Sequence, residues 1–301
     1  MGISPSISRA ILQEHKHKPI EGDILLIGKQ SMGFTPDAAR EMIRAEGIEP
    51  RAGEVDMDIT TRAAMGKNYI SDVGFFSLFT DAKVTTLDVT DYEGADIVHD
   101  MPQPIPESME GVADFLWIGS CLDNMCDPIT ALQNSIRMLK PGGRLVDLEM
   151  AVPEALPYLV YPPEYMFDFF AINNFADLRL YVAVLDAAQL HGGPWHFYSL
   201  TDFKATVEGF PYRKFHPRSI ILTYVVAEKG PETTWDRKPV QGQYRPNHDA
   251  YRAAYDLWQT TLRPNLVPSE TKRLPKFVNK LLPKSKRSMP DIRGYTYIGQ
   301  L

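Results

Sequence analysis

Glu21-Gly-Asp-Ile-Leu-Leu-Ile-Gly-Lys-Gln-Ser-Met-Gly-Phe34 is the stretch on which the fold turns. Ile24 to Ile27 is an unbroken apolar run between Gly22-Asp23 and Gly28, and it predicts a short buried strand. Gly28 and Gly33 bracket a tight loop. Thr35-Pro36-Asp37 then opens a helix. Thr35 suits the N-cap, Pro36 sits where its missing N–H does no harm, and Asp37 faces the positive helix end. Strand, glycine loop and helix N-terminus in succession let backbone approach a ligand closely. The same pair of glycines also serves turns that bind nothing, so the remaining chain has to decide.

Moving outward, residues 1–20 predict a helical lead-in, with Ile7, Ala10 and Ile11 at helical spacing. Ala38, Ala39, Met42 and Ile43 share one face of a helix that Gly47 ends. Residues 48–73 are polar and aperiodic, and read as an insertion. Lys83 to Val89 predicts a second strand with Asp88 at its C-terminal end, and Ala95 to His99 a short third one before Asp100. Ala113 to Ile118 reads as a fourth, and Asp127-Pro128 caps a helix carrying Ile129, Leu132, Ile136 and Leu139. Lys140-Pro-Gly-Gly143 stops that helix, and Arg144 to Met150 returns as a fifth strand.

Short apolar strands alternating with amphipathic helices predict an α/β fold, a doubly wound and mainly parallel sheet. Right-handed crossovers then bring the loops after each strand to one edge. Gly28, Asp88, Asp100 and the segment Gly119–Asp123 would line a single crevice there. Residues 151–197 break the rhythm with Pro153, Pro157, Pro162 and Pro163, followed by a helical reading of Glu164 to Val184, and suggest a lid or substrate cap. A helix is expected from Ser199 to about Gly209, and Tyr212–Pro217 and Ser219–Glu228 as two closing strands.

The 301 residues carry a formal charge of −6, unevenly spread. Eight Lys/Arg against two acids fall in residues 270–301, which leaves −12 on the preceding 269. An acidic body argues against a general nucleic-acid binder. In the basic extension 230–301, residues 272–287 interleave cations with Phe277, Val278, Leu281 and Leu282, a pattern suited to an anionic membrane surface or to the acidic body itself. Two cysteines, Cys121 and Cys126, give no disulfide framework, and no signal peptide or membrane span is visible, so a cytoplasmic setting is expected.

Asp114-Phe-Leu-Trp-Ile-Gly-Ser-Cys-Leu-Asp-Asn-Met-Cys-Asp-Pro128, followed by Ile136-Arg-Met-Leu-Lys-Pro-Gly-Gly-Arg-Leu145, resembles the fourth strand and the turn before strand five of class I S-adenosylmethionine-dependent methyltransferases. The likeness extends over residues 21–229. It implies a Rossmann-like seven-stranded sheet ending in an antiparallel hairpin, with S-adenosyl-L-methionine as cofactor. By the same resemblance Gly28, Gln30 and Gly33 would lie under the methionine and ribose, and Asp88 would accept from the ribose hydroxyls. Asp100 and Met101 would border adenine, with Gly119 and Ser120 near the methionine moiety. The sequence departs from the family pattern at Leu26, which stands in an acidic position, and at Lys29, Gln30 and Met32, which crowd the loop.

Methyl transfer from a sulfonium needs alignment more than a dedicated catalytic group, and a base only for a hydroxyl or protonated amine acceptor. His191 and His196, in a Gly/Pro loop, and Asp123 are the candidates for a base; each also fits a purely structural role. Glu164 and Asp168, four apart on one predicted helix face, and Tyr161 are the candidates for holding a substrate, a small molecule or glycan precursor. No metal-ligand spacing occurs, and no metal is expected. Two other classes remain open: a methyltransferase fold that has become a binding or scaffold subunit, and a dinucleotide or nucleotide-sugar enzyme.

Overall fold

The computed structural model describes residues 2–153, 157–186, 192–202, 205–244, 265–268 and 289–301, with positions 249, 251, 253, 256 and 257. Nine strands form one sheet in the order β3-β2-β1-β4-β5-β8-β6-β7-β9. They are β1 Asp23–Ile27, β2 Lys83–Asp88, β3 Ile97–Val98, β4 Ala113–Gly119, β5 Leu139–Met150, β6 Asp177–Asp186, β7 His196–Leu200, β8 Ser219–Glu228 and β9 Tyr295–Gln300. The first five are parallel. β8 runs antiparallel between β5 and β6, and β7 and β9 extend that side as antiparallel strands.

The doubly wound reading holds because alternate residues of each strand bury opposite faces. Ile24 and Leu26 pack with Ile7, Ile11, Ile43 and Phe76, under helices α1 (Pro5–His17), α2 (Pro36–Ala45) and α3 (Asp72–Ser77). Leu25 and Ile27 pack with Leu132, Ile136, Phe167 and Phe170, under α4 (Pro128–Met138) and α5 (Pro163–Ile172). Two expected caps are present: Thr35 Oγ1 accepts from Ala38 N at 3.3 Å, and Asp127 Oδ1 from Thr130 N at 3.1 Å. In the parallel part the strand order reverses between β1 and β4, which opens a crevice at their C-terminal ends.

Four expectations need correction. Among the described residues the sheet has nine strands rather than seven. The helix read over Glu164–Val184 ends at Ile172, and residues 177–186 form the inner strand β6, so part of the supposed cap belongs to the sheet. Asn174, at φ +54, turns the chain at that point, and the buried apolar run that follows is that of a strand covered on both faces. Tyr212–Lys214 is a single 3-10 turn, so no hairpin over 212–228 forms; the strand partners of β8 are β5 and β6. Ser199 and Leu200 end β7, and the helix expected from Ser199 shortens to α6, Ala205–Glu208. The basic stretch 272–287 lies outside the described residues. Among the described residues no helix is long and apolar enough to cross a membrane.

Candidate functional site

A cleft of about 700 Å³ opens at the switch point between β1 and β4. Ile27 and Gly28 line it from the end of β1, Leu87, Asp88 and Val89 from β2, and His99 to Gln103 from the chain after β3. Ser120, Cys121 and Asn124 to Asp127 close it from the turn after β4. Topology alone brings these distant residues together, because every parallel strand ends on this edge.

Asp88 is held where a ligand could meet it. Its Oδ1 accepts from Val89 N at 2.7 Å and its Oδ2 from Lys29 N at 3.3 Å, which leaves lone pairs on both oxygens. Gly28, at φ +78, donates its N–H to Leu87 O at 2.7 Å. A Cβ there would stand 2.9 Å from Cys121 Sγ. That thiol donates to Ile27 O at 3.0 Å, and burial, with Glu149 nearby, pushes it up to about 12. It stays protonated at neutral pH and serves as filling rather than as a base.

The glycine loop takes another course. Lys29 Nζ pairs with Asp72 Oδ1 at 2.9 Å, and Gln30 N donates to Asp72 Oδ2 at 2.9 Å. Asp72 is fully buried at the start of α3 and draws residues 29–30 away from the cleft. Of the residues assigned to the cofactor from sequence, Gly28, Asp88, Asp100, Met101 and Ser120 line the cleft, whereas Gln30, Gly33 and Gly119 do not. Gly119 lies behind the wall, where a Cβ would meet Trp117 Nε1 at 2.6 Å and Gln30 Oε1 at 2.7 Å.

The other sequence candidates are scattered. Asp123 is buried, accepting from Ser120 Oγ at 2.6 Å and Asn124 Nδ2 at 2.7 Å, and burial raises its pKa. His196 sits at the start of β7, its Nδ1 2.8 Å from Tyr297 Oη and its Nε2 3.1 Å from Gln300 Nε2; burial lowers its pKa. Glu164 accepts from Phe210 N, and Asp168 is buried on the same helix. Tyr161 donates to Leu122 O at 3.3 Å. None of these lines the cleft, and His191 lies outside the described residues. His99, expected above to end the third strand, lies just after it and does line the cleft, with Nε2 3.3 Å from Gln103 O.

Sequence reasoning missed Asp147 and Glu149. Both are fully buried on β5, two residues apart and therefore on one face of the strand. Glu149 Oε1 accepts from Cys121 N at 3.2 Å and Leu122 N at 3.1 Å, and Oε2 from Asp123 N at 3.1 Å. The turn that walls the cleft is thus folded around this carboxylate. Ser120, in the left-handed region at φ +54, is part of the same turn. The one signal for them was a pair of acids set in an otherwise apolar strand.

Residues 82–175 match the model of the ubiE/COQ5 methyltransferase family. A demethylmenaquinone methyltransferase of Bacillus pumilus (strain SAFR-032) is 26% identical over 115 residues, covering 38% of this chain and 49% of that protein. The chain therefore spans about half the length of the curated relative it matches. Among solved structures, an S-adenosylmethionine-dependent methyltransferase of Thermotoga maritima aligns over 75% of this chain and 90% of its own, with 12% identity and a TM-score of 0.36. A phosphoethanolamine N-methyltransferase 2 of Haemonchus contortus, in complex with S-adenosyl-L-methionine, aligns over 73% and 52%, with 12% identity and a TM-score of 0.37.

Proposed function

We propose that this chain, which resembles class I S-adenosylmethionine-dependent methyltransferases and matches their ubiE/COQ5 family over residues 82–175, binds S-adenosyl-L-methionine in the cleft and methylates a small molecule or glycan precursor. One observation carries the reading. The lining holds the carboxylates of Asp88, Asp100 and Asp127 but, among the described residues, neither lysine nor arginine. A dinucleotide or nucleotide sugar would bring a pyrophosphate, which needs cations or a cradle of N–H groups. A donor bearing a sulfonium and an ammonium suits the carboxylates better, and its ribose diol suits the free lone pairs of Asp88. A cleft of this size is that of a small-molecule site, and the acidic body weighs against nucleic acid as the acceptor.

When bound, the cofactor supplies an electrophilic methyl group. The chain's own contribution is to bind and align. Asp88 would take the ribose hydroxyls and Asp100 the adenine side, with Met101 as an apolar wall. The Ser120–Asn124 turn would face the methionine part. Alignment and exclusion of water supply the rate enhancement in such a displacement. The two free thiols support a reducing, cytoplasmic setting.

One observation favours a second reading, a non-catalytic binding or scaffold subunit: the Lys29–Asp72 pair draws the loop away from the cleft. Calorimetric titration tests both. S-adenosyl-L-methionine is expected to bind, NADH is not, and Asp88→Ala is expected to weaken binding by about 1.5–3 kcal/mol, the worth of hydrogen bonds to a charged group. No heat at millimolar cofactor would defeat the cofactor reading. Binding with no methyl transfer to any of a panel of small acceptors would favour the scaffold.

A further inference from the structure

Behind the cleft, the chain buries more acid than its fold requires. Asp147 and Glu149 are both fully covered, on the face of β5 that α5 packs against. They leave one face of β5 two residues apart, so the two buried carboxyl groups stand beside each other. Glu149 has three N–H donors, all from the turn Cys121–Asp123. Neither oxygen of Asp147 accepts a well-formed hydrogen bond from a donor among the described residues. The titratable groups facing the pair are Asp123 and Cys121 from the turn after β4, Tyr161 from the chain before α5, and Tyr165 from α5 itself. None is a cation. Two carboxylates in contact without a cation cannot both stay ionised in a dry interior.

We propose that Asp147 and Glu149 hold one proton between them, and that Asp147, through this bond to Glu149, is a positioning residue for the Ser120–Asn124 wall of the cleft. The shared hydrogen bond fixes the Glu149 carboxyl with its other oxygen lone pairs toward the three N–H groups, while the charge of the pair stays at one unit. Loss of the proton puts two negative charges side by side beneath the turn and frees Glu149 to swing away from it. Ser120, held at a positive φ within that turn, is the cleft residue most exposed to the change. The consequence for a ligand rests on the reading of the cleft as a cofactor site; the shared proton itself does not.

Two measurements on the full chain keep these claims apart. The first is unfolding by urea as a function of pH. Burial raises Asp147 to about 8, against about 3.9 in an unfolded chain. Between those values the folded protein holds a proton that the unfolded one has released, so stability falls as pH rises through that window and levels off above it. Asp147→Asn, which keeps an N–H donor toward Glu149 without a titrating proton, is expected to abolish that part of the fall. Parallel profiles for wild type and Asp147→Asn would overturn the proposal. The second is titration with S-adenosyl-L-homocysteine at about pH 7 and about pH 9.5. Wild type is expected to lose about tenfold in affinity at the higher pH, Asp147→Asn to lose little, and Glu149→Gln to bind weakly at both. Equal pH losses in wild type and Asp147→Asn would refute the positioning role. Failure of wild type and both variants to bind at either pH would remove the cofactor reading, with the unfolding profiles still deciding the shared proton.

Discussion

Gly28 is the residue where sequence, backbone and cleft constrain one another most tightly. Its φ of +78 costs an alanine about 1–2 kcal/mol, and the added methyl would meet Cys121 Sγ at 2.9 Å. Cys121 cannot yield without giving up its hydrogen bond to Ile27 O. Gly28→Ala is therefore expected to lose about 1–2 kcal/mol in urea unfolding and also to weaken cofactor binding. Gly33→Ala, at φ +71 but outside the cleft, is expected to lose stability alone. The same contrast marks what was legible. Gly28, Asp88, Asp100 and Ser120 could be placed together because parallel strands end on one edge, and that follows from strand order. The course of Gln30 could not, because Asp72, 42 residues away, sets it through a side-chain bond that no local pattern encodes. Asp147 and Glu149 were invisible for a related reason: alternation puts them on one face but does not say that α5 will cover it.

Among the elements, the boundary between α5 and β6 shows how a chain can read as one helix and fold as two. Residues 166–185 are mostly apolar, broken only at Asp168, Asn173, Asn174, Asp177 and Arg179, so periodicity alone does not separate a buried helix from a buried strand. The separation is made by Asn173 and Asn174. Asn174 supplies the left-handed turn. Asn173, fully buried, donates to Phe169 O at 2.9 Å and Arg237 O at 3.0 Å, and accepts from Thr234 Oγ1 at 2.9 Å and Arg237 N at 3.1 Å. It therefore ties the end of α5 to a segment about sixty residues on, using all of its bonding capacity toward the protein. Asn173→Ala leaves several of these partners unsatisfied in the interior and is expected to cost about 2–4 kcal/mol in chemical denaturation. Asn174→Gly, which suits the same φ better, is expected to be neutral or stabilising by less than about 1 kcal/mol. A comparable loss at both positions would mean that the turn, not the side-chain bonds of Asn173, ends the helix. The parallel half was easier to read because Thr35 and Asp127 announce its helices locally, as caps do.

At the scale of the whole molecule, the two ends of the parallel half are joined by a buried ion pair. Arg144, on β5, reaches Glu14 of α1 with Nη1–Oε1 at 2.6 Å, and its Nη2 donates to Pro19 O at 2.8 Å; both side chains are under 8% exposed. The pair spans 130 residues and ties the lead-in helix to the strand that also carries Asp147 and Glu149. It is not expected to add much net stability, because desolvating two charges costs about what their attraction returns. Removing one partner is a different matter. Glu14→Ala leaves the guanidinium buried without its carboxylate and is expected to lose about 3–5 kcal/mol, whereas the double replacement Glu14→Met with Arg144→Met restores most of that loss. A double-mutant cycle in guanidinium chloride measures the coupling directly. If the single and double variants lose equal amounts, the pair acts by shape rather than by charge. If Glu14→Ala also leaves cofactor affinity untouched while lowering stability, then α1 fastens the sheet without shaping the cleft, which is the division of labour that the opposite faces of β5 imply.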